Sequence, residues 1–189
     1  MEDNYQPVRS NRKIKAAVIG GAVMNATSVI PYLSMINCAC CAGIMLGGLA
    51  AVYFYLRDQP KDDPPLETKY GVILGAFAGI FGAIFETTIT SIIISMYSAD
   101  YFQGVLDEFQ RSIENMETNG QAVPEILNSV KDAFTAFVNE IKNNGFSPVL
   151  TLLMLVFNSF KDIIFGLLGG LIGVYVLQKR TKQADMKGE

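Results

Sequence analysis

Lys15-Ala-Ala-Val-Ile-Gly-Gly-Ala22 and Lys69-Tyr-Gly-Val-Ile-Leu-Gly-Ala76 each open an apolar stretch. Leu46-Gly-Gly-Leu-Ala-Ala-Val-Tyr53 and Leu168-Gly-Gly-Leu-Ile-Gly-Val-Tyr175 each close one. Their order along the chain is A-B-A-B. That order reads as a duplicated pair of membrane-spanning helices, because self-similarity in a fixed order is the mark of a repeat. The fold class expected is all-α and integral to a membrane, with four transmembrane helices.

Composition points the same way. Half of the 189 residues are hydrophobic and 17% are charged. The apolar residues gather into runs of about 20, the length that crosses a hydrocarbon core about 30 Å thick. The chain has no His, so the commonest general base and metal ligand is missing. It has no Trp, which leaves interfacial anchoring to Tyr and Phe. Arg9, Arg12, Lys13 and Lys15 precede the first apolar stretch, as in a signal peptide. No small-x-small cleavage site follows, and Asn37 spoils the lipobox before Cys38, so the stretch reads as a retained span.

Outward from the matched fragments, residues 1–13 read as a disordered cytoplasmic tail. Residues 14–97 hold the first three spans, at about 16–30, 36–56 and 70–97. Pro31 limits the first, because the residue before a proline disfavours helix. Pro60, Pro64 and Pro65 make 57–69 a loop. The fourth span occupies 147–178 and opens at Ser147-Pro148, a capping residue followed by proline at the first helical position. At 1.5 Å per residue the third and fourth spans run about 42 and 45 Å, longer than the core is thick. Such an excess calls for tilt or a shared protrusion. Residues 179–189 form a second cytoplasmic tail.

Residues 98–146 differ in kind. Phe102, Val105, Leu106, Phe109, Ile113 and Met116 recur at helical spacing, with acids between them. Ile126, Leu127, Val130, Phe134, Phe137, Val138 and Ile141 do the same. The pattern predicts an amphipathic αα-hairpin turning near Asn119-Gly120 and capped at Gly145. Its eight acids against three bases over 98–147 disfavour a lipid-surface helix, which is usually basic. The basic residues lie elsewhere: in the N-terminal tail, in the 57–69 loop (Arg57, Lys61, Lys69) and in the C-terminal tail (Lys179, Arg180, Lys182, Lys187). The positive-inside rule places both termini and that loop in the cytoplasm. The acidic hairpin, inserted between helices 3 and 4, then lies outside an inner (cytoplasmic) membrane.

Three sets of residues are candidates for function. Gly47, Gly48, Gly71, Gly75, Gly79, Gly82, Gly169 and Gly170 are candidates for close helix packing, within the bundle or at a homo-oligomer seam. Glu86, Lys161 and Asp162 are ionisable residues inside spans, which mark a functional site by default. Glu86 lies 16 residues after Tyr70 and Lys161 lies 16 before Leu177. Both therefore sit about 24 Å from the cytoplasmic face and are expected to pair. Asp162 is expected to face head groups or the hairpin. Cys38, Cys40 and Cys41 are weak metal candidates, since a zinc site needs four ligands, and they read mainly as small packing residues. Leu49–Tyr53–Arg57 and Leu171–Tyr175–Lys179 fit a loose sterol-contact pattern that interfacial anchoring explains equally well.

No P-loop, nucleophile elbow, zinc-protease or dinucleotide fingerprint occurs. The expectation is a non-enzymatic protein without a cofactor, whose partners are the lipid bilayer, further copies of itself, or an extracytoplasmic protein at 99–145, and not nucleic acid. A small transporter or channel built on Glu86 and Lys161 is the alternative. Asn37-Cys-Ala-Cys-Cys-Ala-Gly-Ile-Met-Leu-Gly-Gly-Leu-Ala-Ala-Val-Tyr53, followed by Tyr70-Gly-Val-Ile-Leu-Gly-Ala-Phe-Ala-Gly79, resembles a group of small uncharacterised prokaryotic multi-pass membrane proteins. Their second span has a Cys-rich start and a Gly-Gly end. The resemblance covers about residues 15–85 and implies the membrane class without an activity.

Overall fold

The computed structural model describes residues 6–29, 41–60, 63–96, 99–118 and 125–185. Cys38, Cys40, Pro31 and the Asn119-Gly120 turn lie outside them. The described residues form six α-helices and no strand: α1 Gln6–Val29, α2 Ala42–Arg57, α3 Thr68–Met96, α4 Ala99–Thr118, α5 Glu125–Asn144 and α6 Pro148–Asp185. α3 and the Pro148–Leu177 part of α6 are long and apolar enough to cross a membrane. α2 is apolar but has only 16 residues. α1 carries Arg9, Arg12, Lys13 and Lys15 within its own length, so its apolar part is short as well.

Two compact units emerge: residues 1–88 with 155–189, and residues 89–154. In the first, glycines set the packing of α1, α2, α3 and the C-terminal part of α6. A Cβ built on Gly75 would strike the carbonyl oxygen of Gly166, and one on Gly166 would strike the carbonyl of Gly75. A Cβ on Gly170 would strike the carbonyl of Gly71, while one on Gly71 would strike the Val174 side chain and come within 3.2 Å of the Gly170 carbonyl. Backbone lies on backbone along this antiparallel seam, and only residues without a side chain permit it. A Cβ on Gly20 would come within 2.7 Å of both Ala51 Cβ and the Gly47 carbonyl oxygen, which seats α1 on α2. Gly21 meets Ala78, Phe81 and Gly82 of α3. Gly48 meets Gly166 and Gly170, and Gly169 meets Met45, which joins α2 to α6.

These contacts cut across the matched fragments. Gly47 faces α1, whereas Gly169, its counterpart in the matched sequence, faces α2. Gly48 faces α6, whereas its counterpart Gly170 faces α3 as well as Gly48. Successive residues on a helix point about 100° apart, so a Gly-Gly pair can serve two neighbouring helices at once. Each pair here does so, in exchanged order.

Residues 6–13, expected in a disordered tail, are instead the first turns of α1. The reason lies in the 57–69 segment. Both terminal nitrogens of Arg12 donate to Asp63 Oδ2 at 3.3 Å, and Lys15 Nζ donates to Asp58 Oδ2 at 2.9 Å. Lys13 Nζ sits 4.6 Å from the centroid of the Tyr70 ring. Beneath these contacts Leu66 is buried with Ala16, Val52, Tyr55, Leu74 and Val174. A helix start held by charges and by a buried leucine is retained where an unattached polar segment would fray. At the other end of the chain, α6 continues to Asp185, past the expected limit at 178.

The second unit carries the hairpin. α4 packs on α5, burying Leu106, Ile113, Val138 and Ile141 from the two apolar stripes. Gly145 adopts φ +71°, the left-handed conformation that ends a helix without a Cβ penalty, and its N–H donates to Ile141 O at 2.7 Å. Ser147 then caps α6. Its Oγ accepts the Leu150 N–H at 3.2 Å and donates to the Glu140 carboxylate, and Pro148 is the first helical residue.

Two outcomes follow. Gly75→Ala should destabilise the protein by about 1–3 kcal/mol, since the methyl meets rigid backbone. Gly104→Ala, at a helical position with nothing within 4 Å, should stabilise it by about 0.5–1 kcal/mol. Thermal unfolding measures both. Separately, the ammonium of Lys15, and then the guanidinium of Arg57, hold the Asp58 carboxyl below its ordinary 3.8. A lowered folded value means that Asp58 contributes stability above 3.8 and loses it as pH falls through the folded value. The Tm gap between the unmodified chain and Asp58→Asn should be present at neutral pH and close in acid.

Candidate functional site

α3 and α6 bring Glu86, Lys161 and Asp162 together. The antiparallel seam sets the register: Gly75 on Gly166, then Gly79 against the carbonyl of Asp162 one turn further on. Two turns further along α3 and one along α6, Asn158 Nδ2 donates to Thr87 Oγ1 at 3.2 Å. At this level Lys161 Nζ donates to both carboxylate oxygens of Glu86, each at 3.1 Å. It also lies 3.5 Å from Asp162 Oδ1.

Asp162 does not face head groups or the hairpin, as the sequence led one to expect. Its side chain is only 1% exposed, against 34% for Lys161 and 17% for Glu86. Adjacent residues point about 100° apart on a helix. With Lys161 reaching across the surface to Glu86, Asp162 turns inward, and the bare backbones of Gly79 and Gly82 make room for it. Asp162 Oδ2 stands 3.4 Å from where a Cβ on Gly82 would be, and Met24 of α1 closes the other side of that glycine. Neither Asp162 oxygen accepts a hydrogen bond.

The glycines singled out for packing, Gly47, Gly48, Gly71, Gly75, Gly79, Gly82, Gly169 and Gly170, all lie on helix contacts within the first unit. Of the cysteines, Cys41 is described: a half-buried free thiol at the start of α2, with φ +55°. Among the described residues no three His, Cys, Asp or Glu side chains converge as a metal site would require.

Asn158 joins this level of the fold without having been singled out for it. Asn158 precedes Lys161 by three residues and Asp162 by four, so all three recur within one turn of α6. That spacing was the available signal. Asn25 matches a glycosylation sequon with Thr27, yet it lies inside α1 with its Oδ1 buried and unpaired. A separate cavity of about 200 Å³ lies against the 57–69 segment, between Lys13, Tyr55, Pro64, Glu67 and Tyr70. Its one ammonium is already engaged with the Tyr70 ring.

Chemically, the cluster holds two acids and one base beside hydroxyl and amide groups. It can bind charge and hydrogen-bond; it offers no activated nucleophile. Comparison with protein-family models, with curated proteins and with solved structures gives no match.

Lys161→Met should destabilise the protein by about 3 kcal/mol, because it strands the Glu86 carboxylate in an apolar wall. Adding Glu86→Gln should recover most of that loss, since a removed pair costs far less than a broken one. Thermal unfolding of the two variants tests the pair. Equal losses would mean that Lys161 acts through something other than Glu86.

Proposed function

We propose that this chain is a multi-pass membrane protein of four spans that acts, without catalysis, as a scaffold or partner-binding subunit. Both ends lie in the cytoplasm and the acidic hairpin lies outside an inner membrane. One observation carries the membrane reading: small residues face inward and large apolar residues face outward. On α3, Gly71, Gly75, Ala78, Gly79 and Gly82 are buried together with one large residue, Leu74, while Ile73, Phe77, Ile80 and Ile84 are exposed. On α6, Phe157 and Phe160 are 66% and 71% exposed. Only 39% of the apolar stretch of α3 and 33% of that of α6 is buried. A soluble core buries its large apolar side chains. A helix in lipid gains nothing by doing so and associates through small residues instead.

The duplicated two-helix reading rests on the order of the matched fragments, and the orientation rests on the basic residues of the termini and of the 57–69 loop. The role as scaffold or subunit is supported by the hairpin, whose α5 leaves Ile126 and Val130 exposed beside acidic residues. A second reading, a small transporter or channel, is favoured by a single observation: the buried Asp162 carboxylate has no hydrogen-bond donor. An unsatisfied ionisable group inside a span is costly to keep without a use.

The test is labelling of intact cells with a membrane-impermeant maleimide, after the native cysteines are replaced by serine. Gly104→Cys should react, and Asn11→Cys should react only after permeabilisation. Recovery of the chain in the soluble fraction would sink the membrane reading, and labelling of both positions in intact cells would sink the topology.

A further inference from the structure

The charge cluster does not balance. Glu86 and Asp162 bring two carboxylates, and Lys161 brings one ammonium. Lys161 Nζ is committed to Glu86 at two distances of 3.1 Å and stands off Asp162 at 3.5 Å. Asp162 is left nearly fully buried, with both oxygens lacking a donor. The packed surroundings supply no further charge. α3 presents Glu86 and the backbones of Gly79 and Gly82, and α1 presents the thioether of Met24. α2 brings Ile44 into the Met24 cluster, with the Cys41 thiol at its rim. One negative charge is therefore left over in a low-dielectric interior, where an ionised carboxylate that shares its only cation and accepts no hydrogen bond is poorly sustained.

We infer that Asp162, seated against Gly82 between α1, α3 and α6, is a binding site for one monovalent cation, either a proton or a single alkali ion. A charge of +1 matches the deficit. A divalent ion would overshoot the single charge to be balanced. Lys161 and Glu86 form the outer pair that shields the site, and the glycines give the carboxylate its space. The inference rests on the reading of α3 and α6 as membrane-spanning.

Infrared difference spectroscopy on the full chain in phosphatidylcholine vesicles tests it, over about pH 5 to about pH 9 in choline buffer. The expected result is a protonated-carboxyl band that is absent from Asp162→Asn. Loss of that band only as pH rises, or its persistence throughout, assigns a proton. Its loss at fixed pH on adding sodium or potassium chloride, but not choline chloride, assigns an alkali ion. If Asp162 gives carboxylate bands alone, unmoved by pH or alkali salt, the proposal is overturned and Asp162 is a fixed counter-ion of Lys161.

Should Asp162→Asn fail to assemble, dicyclohexylcarbodiimide on the unmodified protein replaces the comparison. It adds across the O–H of a protonated carboxyl and marks the Asp162 peptide by mass. Marking that declines as pH rises or as alkali salt is added supports the site, and its absence at every pH overturns it. Flotation of the unmodified chain with the vesicles is scored first. Failure there defeats the membrane reading, whereas failure of the infrared or labelling result in floated protein defeats the cation site alone.

Discussion

Everything in the first unit depends on the backbone-to-backbone seam between α3 and α6. Gly75 and Gly166 each occupy the space where the other's Cβ would be, and one turn away the Gly71 carbonyl fills the space of a Cβ on Gly170. Contacts at this distance gain dispersion along the whole helix edge and bring Cα–H groups onto carbonyl oxygens. They also leave the two helices no freedom to slide, because any shift by one residue replaces a glycine with a side chain. The seam therefore sets which residues of α3 and α6 stand level.

That register is what assembles the charge cluster. With Gly79 lying on the Asp162 carbonyl, Thr87 meets Asn158, and Glu86 comes within reach of Lys161. The same glycines make the space that the inward-turned Asp162 occupies. Packing and electrostatics are thus one feature here. Small residues bring two helices close, and closeness lets a buried carboxylate lie between them rather than on their outer face.

The 57–69 segment plays a corresponding role at the other end of the bundle. Leu66 anchors it in the cluster of Tyr55, Leu74 and Val174, and Asp58 and Asp63 hold Lys15 and Arg12. A proline-rich connection of this kind has little helical or sheet hydrogen bonding of its own, so its placement comes from side chains. The outcome is that the start of α1 is ordered by residues about fifty positions later.

Local features were legible in the sequence because they depend on neighbours along the chain. Ser147-Pro148 announces a capped helix start, Gly145 announces a left-handed stop, and the apolar spacing of 99–145 announces two helices. Each follows from backbone geometry within one turn. A pairing of Glu86 with Lys161 is also expected from counting along their helices, although the seam sets Gly79 level with Asp162, so the two side chains reach toward each other along the helix axes. Rotation about each helix axis could not be counted, since neighbouring residues diverge by about 100° and only contacts decide which way each one faces. The tertiary structure alone therefore turned Asp162 inward, paired Asn158 with Thr87, assigned Gly47 and Gly48 to different helices, and drew residues 6–13 into α1. Periodicity in a sequence reports that a helix has a packing face; only the packed neighbours determine what that face meets.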